Sequence, residues 1–178
     1  HPRHFLLLSD EALNAHASLL HVAQVLCDAP RSKRQIELVL LRKPSGGYRT
    51  VGHLDSWVRI LQRIQRPAYR SWLSQHDRAY WSTEAGRGAE RTSWRLAVRA
   101  ESSRARGLHS CATAMDLRKC FDSASHQSVW EGVTETGMPR GPSWFSIRLY
   151  SWPRRLVCSG AVSRQIHAKR GLIAGTVP

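Results

Sequence analysis

The chain has 178 residues, about the length of one domain, and at 42% hydrophobic and 22% charged it can bury a core. Lys+Arg 27 against Asp+Glu 13 gives a formal charge of +14, which favours a polyanionic partner, although solubility or an arginine-rich coding bias would also produce it. No apolar run approaches the ~18 residues of a membrane helix, and cysteines at 27, 111, 120 and 158 form no CxxC pair, which argues against a disulfide framework.

Phe5 to Leu8 is too short for the core of a signal peptide. Ser9 is a plausible N-cap, with Asp10 and Glu11 in the first turn, where the helix dipole favours negative charge. Leu13, Ala17, Leu20 and Gln24 follow at helical spacing, and Pro30 is expected to end that helix. Residues 1–35 therefore read as a helical lead-in. Ile36 to Leu41 has the β-branched and apolar content of a strand. Pro44-Ser45-Gly46-Gly47 is a turn, and Tyr48 to Val51 returns as a second strand. Lys43 and Arg49 stand at the mouth of that hairpin, suited to a triphosphate, with a solvated basic hairpin as the alternative.

Asp55 or Ser56 caps a second helix, which Pro67 would kink or divide. Trp57, Ile60, Leu61 and Ile64 lie on or near one face, and Arg59, Arg63, Arg66 and Arg70 lie opposite. Arg87, Arg91, Arg95 and Arg99 recur every four residues and form a slowly drifting helical stripe. Such a stripe could follow template or primer phosphates, or be a solvated helix face. Ser110 to Met115 is an expected strand that delivers Asp116. A helix through Val129 and Val133 ends at Gly137-Met138-Pro139, and Trp144 to Tyr150 forms another. Leu156 to Cys158 and Val162 to His167 flank Ser159-Gly160-Ala161 as a hairpin. His109, Cys111, Cys120 and His126 fit no usual zinc spacing. Trp81 and Trp152, near loops, could stack on bases, although core roles are the ordinary expectation for tryptophan.

Three segments carry chemistry together. Ala114-Met115-Asp116-Leu117-Arg118-Lys119-Cys120-Phe121-Asp122-Ser123 places a carboxylate five residues before an aromatic. Leu41-Arg42-Lys43-Pro44-Ser45-Gly46-Gly47-Tyr48-Arg49 precedes it, and Lys169-Arg170-Gly171-Leu172-Ile173-Ala174-Gly175 follows. In that order, they resemble the fingers hairpin and the first two palm motifs of reverse transcriptases, especially those of LINE-type retrotransposons and group II introns. Trp81 to Gly88 is a weaker match to a Gly-Arg run of the same families. The resemblance covers residues 36–178.

The resemblance implies an α+β fold with an incomplete antiparallel palm sheet, and RNA-directed DNA synthesis from dNTPs on an RNA template and a DNA primer. Asp116 would be the catalytic carboxylate. With the Leu117 carbonyl it would hold Mg²⁺ or Mn²⁺. Lys43, Arg49, Phe121 and Gly175 would contact the nucleotide, the Phe121 ring leaving no room for a 2′-hydroxyl. Asp122 would cap the helix that follows. The family's Tyr-x-Asp-Asp turn is not among the residues, so the chain is expected to be a piece of a longer polymerase. A nuclear location would follow if the element is eukaryotic. Thr50, Ala174 and Thr176 stand where the family usually has Pro, Gln and Asp. An inactive retroelement relic, or a basic nucleic-acid-binding module, is the alternative. For the Asp116 segment alone, a buried strand with an Asp122 or Ser123 helix cap fits as well.

Overall fold

Short-range signals set most of the elements in the computed structural model, which describes residues 2–78, 88–117 and 119–173. The chain divides into two units, one of His1–Trp72 with Lys119–Pro178 and one of Leu73–Arg118. Each is described by itself.

In the first unit, the Ser9 hydroxyl accepts from the Ala12 N–H and opens α1 (Asp10–Leu26). The helix stops before Pro30. Cys27 takes a left-handed conformation (φ 49) and its N–H returns to the Ala23 and Gln24 carbonyls. Glycine normally fills that position, so a cysteine there gives little warning of a helix end. Asp28 follows, buried, and its Oδ2 pairs with Arg34 at 2.9 Å and with Arg148. One carboxylate thus ties the end of α1 to distant parts of the unit.

Strands β1 (Ile36–Arg42) and β2 (Tyr48–His53) pair antiparallel, with Leu41 opposite Arg49 and Arg42 opposite Tyr48. The turn uses positive φ at Gly46 and Gly47, which glycine adopts without a Cβ clash. Asp55 Oδ1 accepts from the Trp57 N–H at 2.8 Å, where α2 (Ser56–His76) begins. Pro67 lies within α2 and does not divide it. Trp57, Val58, Leu61, Gln62 and Gln65 make its buried face.

The second unit begins in the last turn of α2 and contains α3 (Ala89–Ala105). No residue of α3 is buried, and Trp94, Leu96 and Val98 are exposed. Ser110 to Met115 forms no strand, and every residue from 108 to 117 is exposed. A strand needs a partner edge for its N–H and C=O groups. This segment pairs with none in the described sheet, and its two alanines and one threonine offer little area to bury.

Back in the first unit, α4 (Cys120–Ser123) is one short turn. α5 (His126–Glu135) is capped by Ser125, whose hydroxyl accepts from the Ser128 N–H, so Asp122 is not the cap. α6 (Arg140–Ser151) leads into β3 (Arg154–Cys158) and β4 (Ala161–Val162). Ser159 and Gly160 between them both have positive φ, as a tight two-residue hairpin turn requires.

The strand order is β2-β1-β3-β4. β1 and β3 run parallel, Ile36 beside Arg154 and Val39 beside Val157. The fold is therefore mixed α and β, but the sheet is mixed rather than antiparallel. The long helical connection between β1 and β3 is what permits the parallel pair. Leu20 and Ala23 of α1 share one core with Ile36, Leu61, Phe145 and Leu149. Phe145 meets Trp152 edge to face, with centroids 5.9 Å apart, so Trp152 is a core residue, 5% exposed, and not a base-stacking platform. Leu20 and Ala23 of α1, with Ala29 after it, join this core, while Leu13, Leu19, Val22, Val25 and Leu26 of α1 stay exposed.

Candidate nucleotide-binding site

Three groups of expected site residues fall in three places. Lys43 and Arg49 are exposed at the β1–β2 turn, which the Lys43 N–H closes onto the Gly47 carbonyl at 3.0 Å. Neither side chain has an ion-pair or hydrogen-bond partner among the described residues, so both are available to an anion. Asp116 and Leu117 lie in the second unit, exposed and outside any helix or strand. Arg118 is outside the described residues.

Phe121 lies in the first unit, where the most defined junction of the expected site forms. The Leu172 N–H donates to the Phe121 carbonyl and the Gly171 N–H to the Ala124 carbonyl, both at 2.8 Å. Ser125 and Arg170 form an antiparallel bridge. The Arg170-Gly171-Leu172 segment is thereby fixed against the turn that carries Phe121 and Asp122. Gly171 has φ +90, and a Cβ there would come within 3.1 Å of the Asp122 carbonyl oxygen. Only glycine satisfies both conditions. The Phe121 ring stays 62% exposed, so it is not a core side chain. Gly175 lies outside the described residues.

Arg154 and His126 hold this junction in place. Arg154 is buried, and its Nη2 donates to the Tyr150 carbonyl and, at 3.3 Å, to the Gly171 carbonyl. The His126 Nε2 lies 3.1 Å from the same Gly171 oxygen and must be the donor, since a carbonyl can only accept. Burial pushes the Arg154 guanidinium below its ordinary value, while the Asp122 carboxylate and Tyr150 pull it back up. Asp122 therefore acts as a counter-charge to a buried cation. Sequence reasoning missed Arg154, because an arginine at a strand start reads as a surface residue. It considered His126 only as a metal ligand.

Arg91, Arg95 and Arg99 lie on α3 and are exposed, and Arg87 is outside the described residues, as is Trp81. No group of three His, Cys, Asp or Glu side chains that could hold a metal occurs among the described residues. One exposed carboxylate and a backbone carbonyl do not fit a two-cation centre, which needs several oxygen ligands around each ion. A cavity of ≈ 750 Å³ lined by residues including Phe5, His16, Leu19 and Trp57 contains none of the expected site residues. No helix among the described residues is long and apolar enough to cross a membrane.

No protein-family model matches the chain, and no curated protein matches it.

Proposed function

We propose that this chain is the fingers and the first part of the palm of a retroelement-type reverse transcriptase. The parent activity is RNA-directed DNA synthesis, with dNTPs, an RNA template and a DNA primer. One observation carries the reading. The segment following Asp116 and the Arg170-Gly171 segment, far apart in sequence, are joined by backbone hydrogen bonds, with Phe121 left exposed beside them. The family resemblance assigns both segments to one nucleotide site. In this reading Phe121 excludes a 2′-hydroxyl, and Lys43 and Arg49 hold the triphosphate by charge and by the guanidinium fork. In this reading Asp116 would supply one carboxylate toward Mg²⁺ or Mn²⁺, which the described residues alone do not hold.

A second reading is an inactive relic that still binds nucleic acid. Ala174 and Thr176 favour it, as substitutions in the motif that otherwise reads Arg-Gly, two residues, Gln-Gly. Single-nucleotide extension by a longer chain that carries these residues and an Asp-Asp turn separates the two. The polymerase reading expects extension that Asp116→Asn abolishes, and a ribonucleotide-to-deoxyribonucleotide ratio that Phe121→Ala raises. No extension by the unsubstituted chain sinks the polymerase reading, and an unchanged ratio removes Phe121 from the sugar site.

A further inference from the structure

The sequence presents a second arginine row that the polymerase reading does not use. Arg59, Arg63, Arg66 and Arg70 stand on α2 at spacings of four, three and four. At about 100° per residue they fall within about 60° of one another around the helix, in a row roughly 16 Å long. The row on α3 turns steadily away from its starting direction, by about 40° for every four residues. All four α2 arginines are exposed, and α2 contains no Asp or Glu.

Three other cations of this unit show what a structural role looks like. Lys33 pairs with Asp55 at 3.0 Å, and Arg34 and Arg148 both pair with buried Asp28. None of the four α2 arginines has an ion-pair or hydrogen-bond partner among the described residues. Four like charges in a row repel one another, and such a row is unfavourable until an external anion neutralises it. Nothing in the packing of α2 requires them.

The orientation of the row is fixed. Trp57, Val58, Leu61, Gln62 and Gln65 anchor the opposite face in the core. A helix half-sunk in its own domain cannot lie down in a nucleic-acid groove, which must accept most of a cylinder about 10–12 Å wide. It can only lay one flank along a backbone. We propose that this face of α2 is a binding surface for the phosphodiester backbone of a nucleic acid, contacted without reading base edges. Regular anionic spacing, a rigid row and guanidinium donors are matched chemistries. The assignment rests on α2 alone and stands whether or not the chain belongs to a polymerase.

The test is a salt titration of the whole 178-residue chain against a short single-stranded RNA and a short DNA duplex of mixed sequence. Four phosphate contacts give log K against log[salt] a contribution of about −3 on the single strand and about −3.6 on the duplex. Replacing Arg59, Arg63, Arg66 and Arg70 together by Gln should flatten the slope by roughly 3 to 4 units on whichever nucleic acid the surface takes. Replacing all four by Lys should leave the slope unchanged. The paired variants Arg59→Gln/Arg63→Gln and Arg66→Gln/Arg70→Gln should each flatten it by about half as much, which keeps the proposal testable if the quadruple variant folds poorly. An unchanged slope in the Gln variants overturns the proposal. So does a Lys variant that behaves like the Gln variant, because charge would then not be the cause. Tighter arginine-dependent binding to phosphatidylserine vesicles than to either nucleic acid also overturns it, and would make the face a membrane contact.

Discussion

α2 and α3 are both long, basic and rich in aromatic or aliphatic side chains, yet they have opposite fates. α2 buries five residues along one face. α3 buries none and leaves Trp94, Leu96 and Val98 in solvent. Arginine content does not separate them. The arrangement of apolar residues does. In α2, Trp57, Val58 and Leu61 recur at helical spacing and share a common core with Leu20 of α1 and Phe145 of α6. In α3, Trp94 and Val98 share one side of the helix and Leu96 lies on nearly the other, so no single apolar stripe forms. A helix with a buried stripe presents its remaining charges in a known direction. A helix without one holds its charges as local sequence dictates, and its contribution to stability is small.

The largest expected effect puts that contrast to a direct test. Phe145 is fully buried between the core and Trp152. Phe145→Ala should cost about 3–5 kcal/mol, the sum of lost transfer energy and a residual cavity. Trp94→Ala removes a larger side chain, but one that is 69% exposed, and should stay within about 0.5 kcal/mol. Urea unfolding followed by far-ultraviolet circular dichroism measures both. Comparable losses would mean that α3 is packed as firmly as the core that α2 shares with Phe145 of α6, and would end the comparison.

A smaller effect sharpens it at the level of backbone. Gly171 and Gly107 both have positive φ, at +90 and +70. An alanine at Gly107 would meet nothing within 4 Å, whereas one at Gly171 would press on the Asp122 backbone at 3.1 Å. Gly107→Ala should therefore lose only the conformational term, about 1 kcal/mol. Gly171→Ala should lose that and more, up to about 3 kcal/mol, because backbone cannot swing aside like a flexible side chain. Equal losses would show that the Phe121–Gly171 junction is loose.

What sequence showed well was short-range. The Ser9 cap, the hairpin around Gly46-Gly47, the start of α2 at Asp55 and Ser56, and the Ser159-Gly160 turn each depend on a few neighbouring residues with defined conformational preferences. The α+β character follows from those. The parallel pairing of β1 with β3 was not legible, because nothing in either strand states its partner. The expected Ser110–Met115 strand failed for the same reason, since a strand's existence depends on an edge supplied elsewhere. The site divides likewise. Gly171 stood inside the Arg-Gly motif whose candidate residue was Gly175, and Arg154, which holds Gly171, is an arginine at a strand start that becomes informative only once its burial is known. Arg59, Arg63, Arg66 and Arg70 were visible as the polar side of α2. Their meaning depended on learning that none of them forms an ion pair among the described residues.

The smallest expected effect concerns the N-terminal end of α2, where its orientation is set. Burial raises the Asp55 carboxyl, but the Trp57 N–H and Lys33 outweigh it, so the net displacement is below the ordinary 3.8. The sign follows from proton binding. A carboxyl depressed in the folded state binds fewer protons there than in the unfolded chain. Its stabilisation is complete above the unfolded value of 3.8 and is lost as pH falls through the lower, folded value. Asp55 is partly exposed and Lys33 more so, so screening holds the pair's contribution below about 1 kcal/mol. Asp55→Asn keeps an oxygen that can accept from the Trp57 N–H while removing the charge that pairs with Lys33. Urea midpoints measured from neutral pH down to about pH 2 should therefore fall less steeply for the variant than for the native chain, and the two curves should converge at the acid end. Lys33→Met should reproduce part of the flattening, since the carboxylate would keep its backbone donor and lose its counter-charge. A native and an Asp55→Asn curve separated by a constant amount at every pH would show that Asp55 fixes α2 by hydrogen bonding alone. The anchored orientation of the arginine face would then owe nothing to charge at its N-terminal end and would rest on the buried stripe from Trp57 to Gln65.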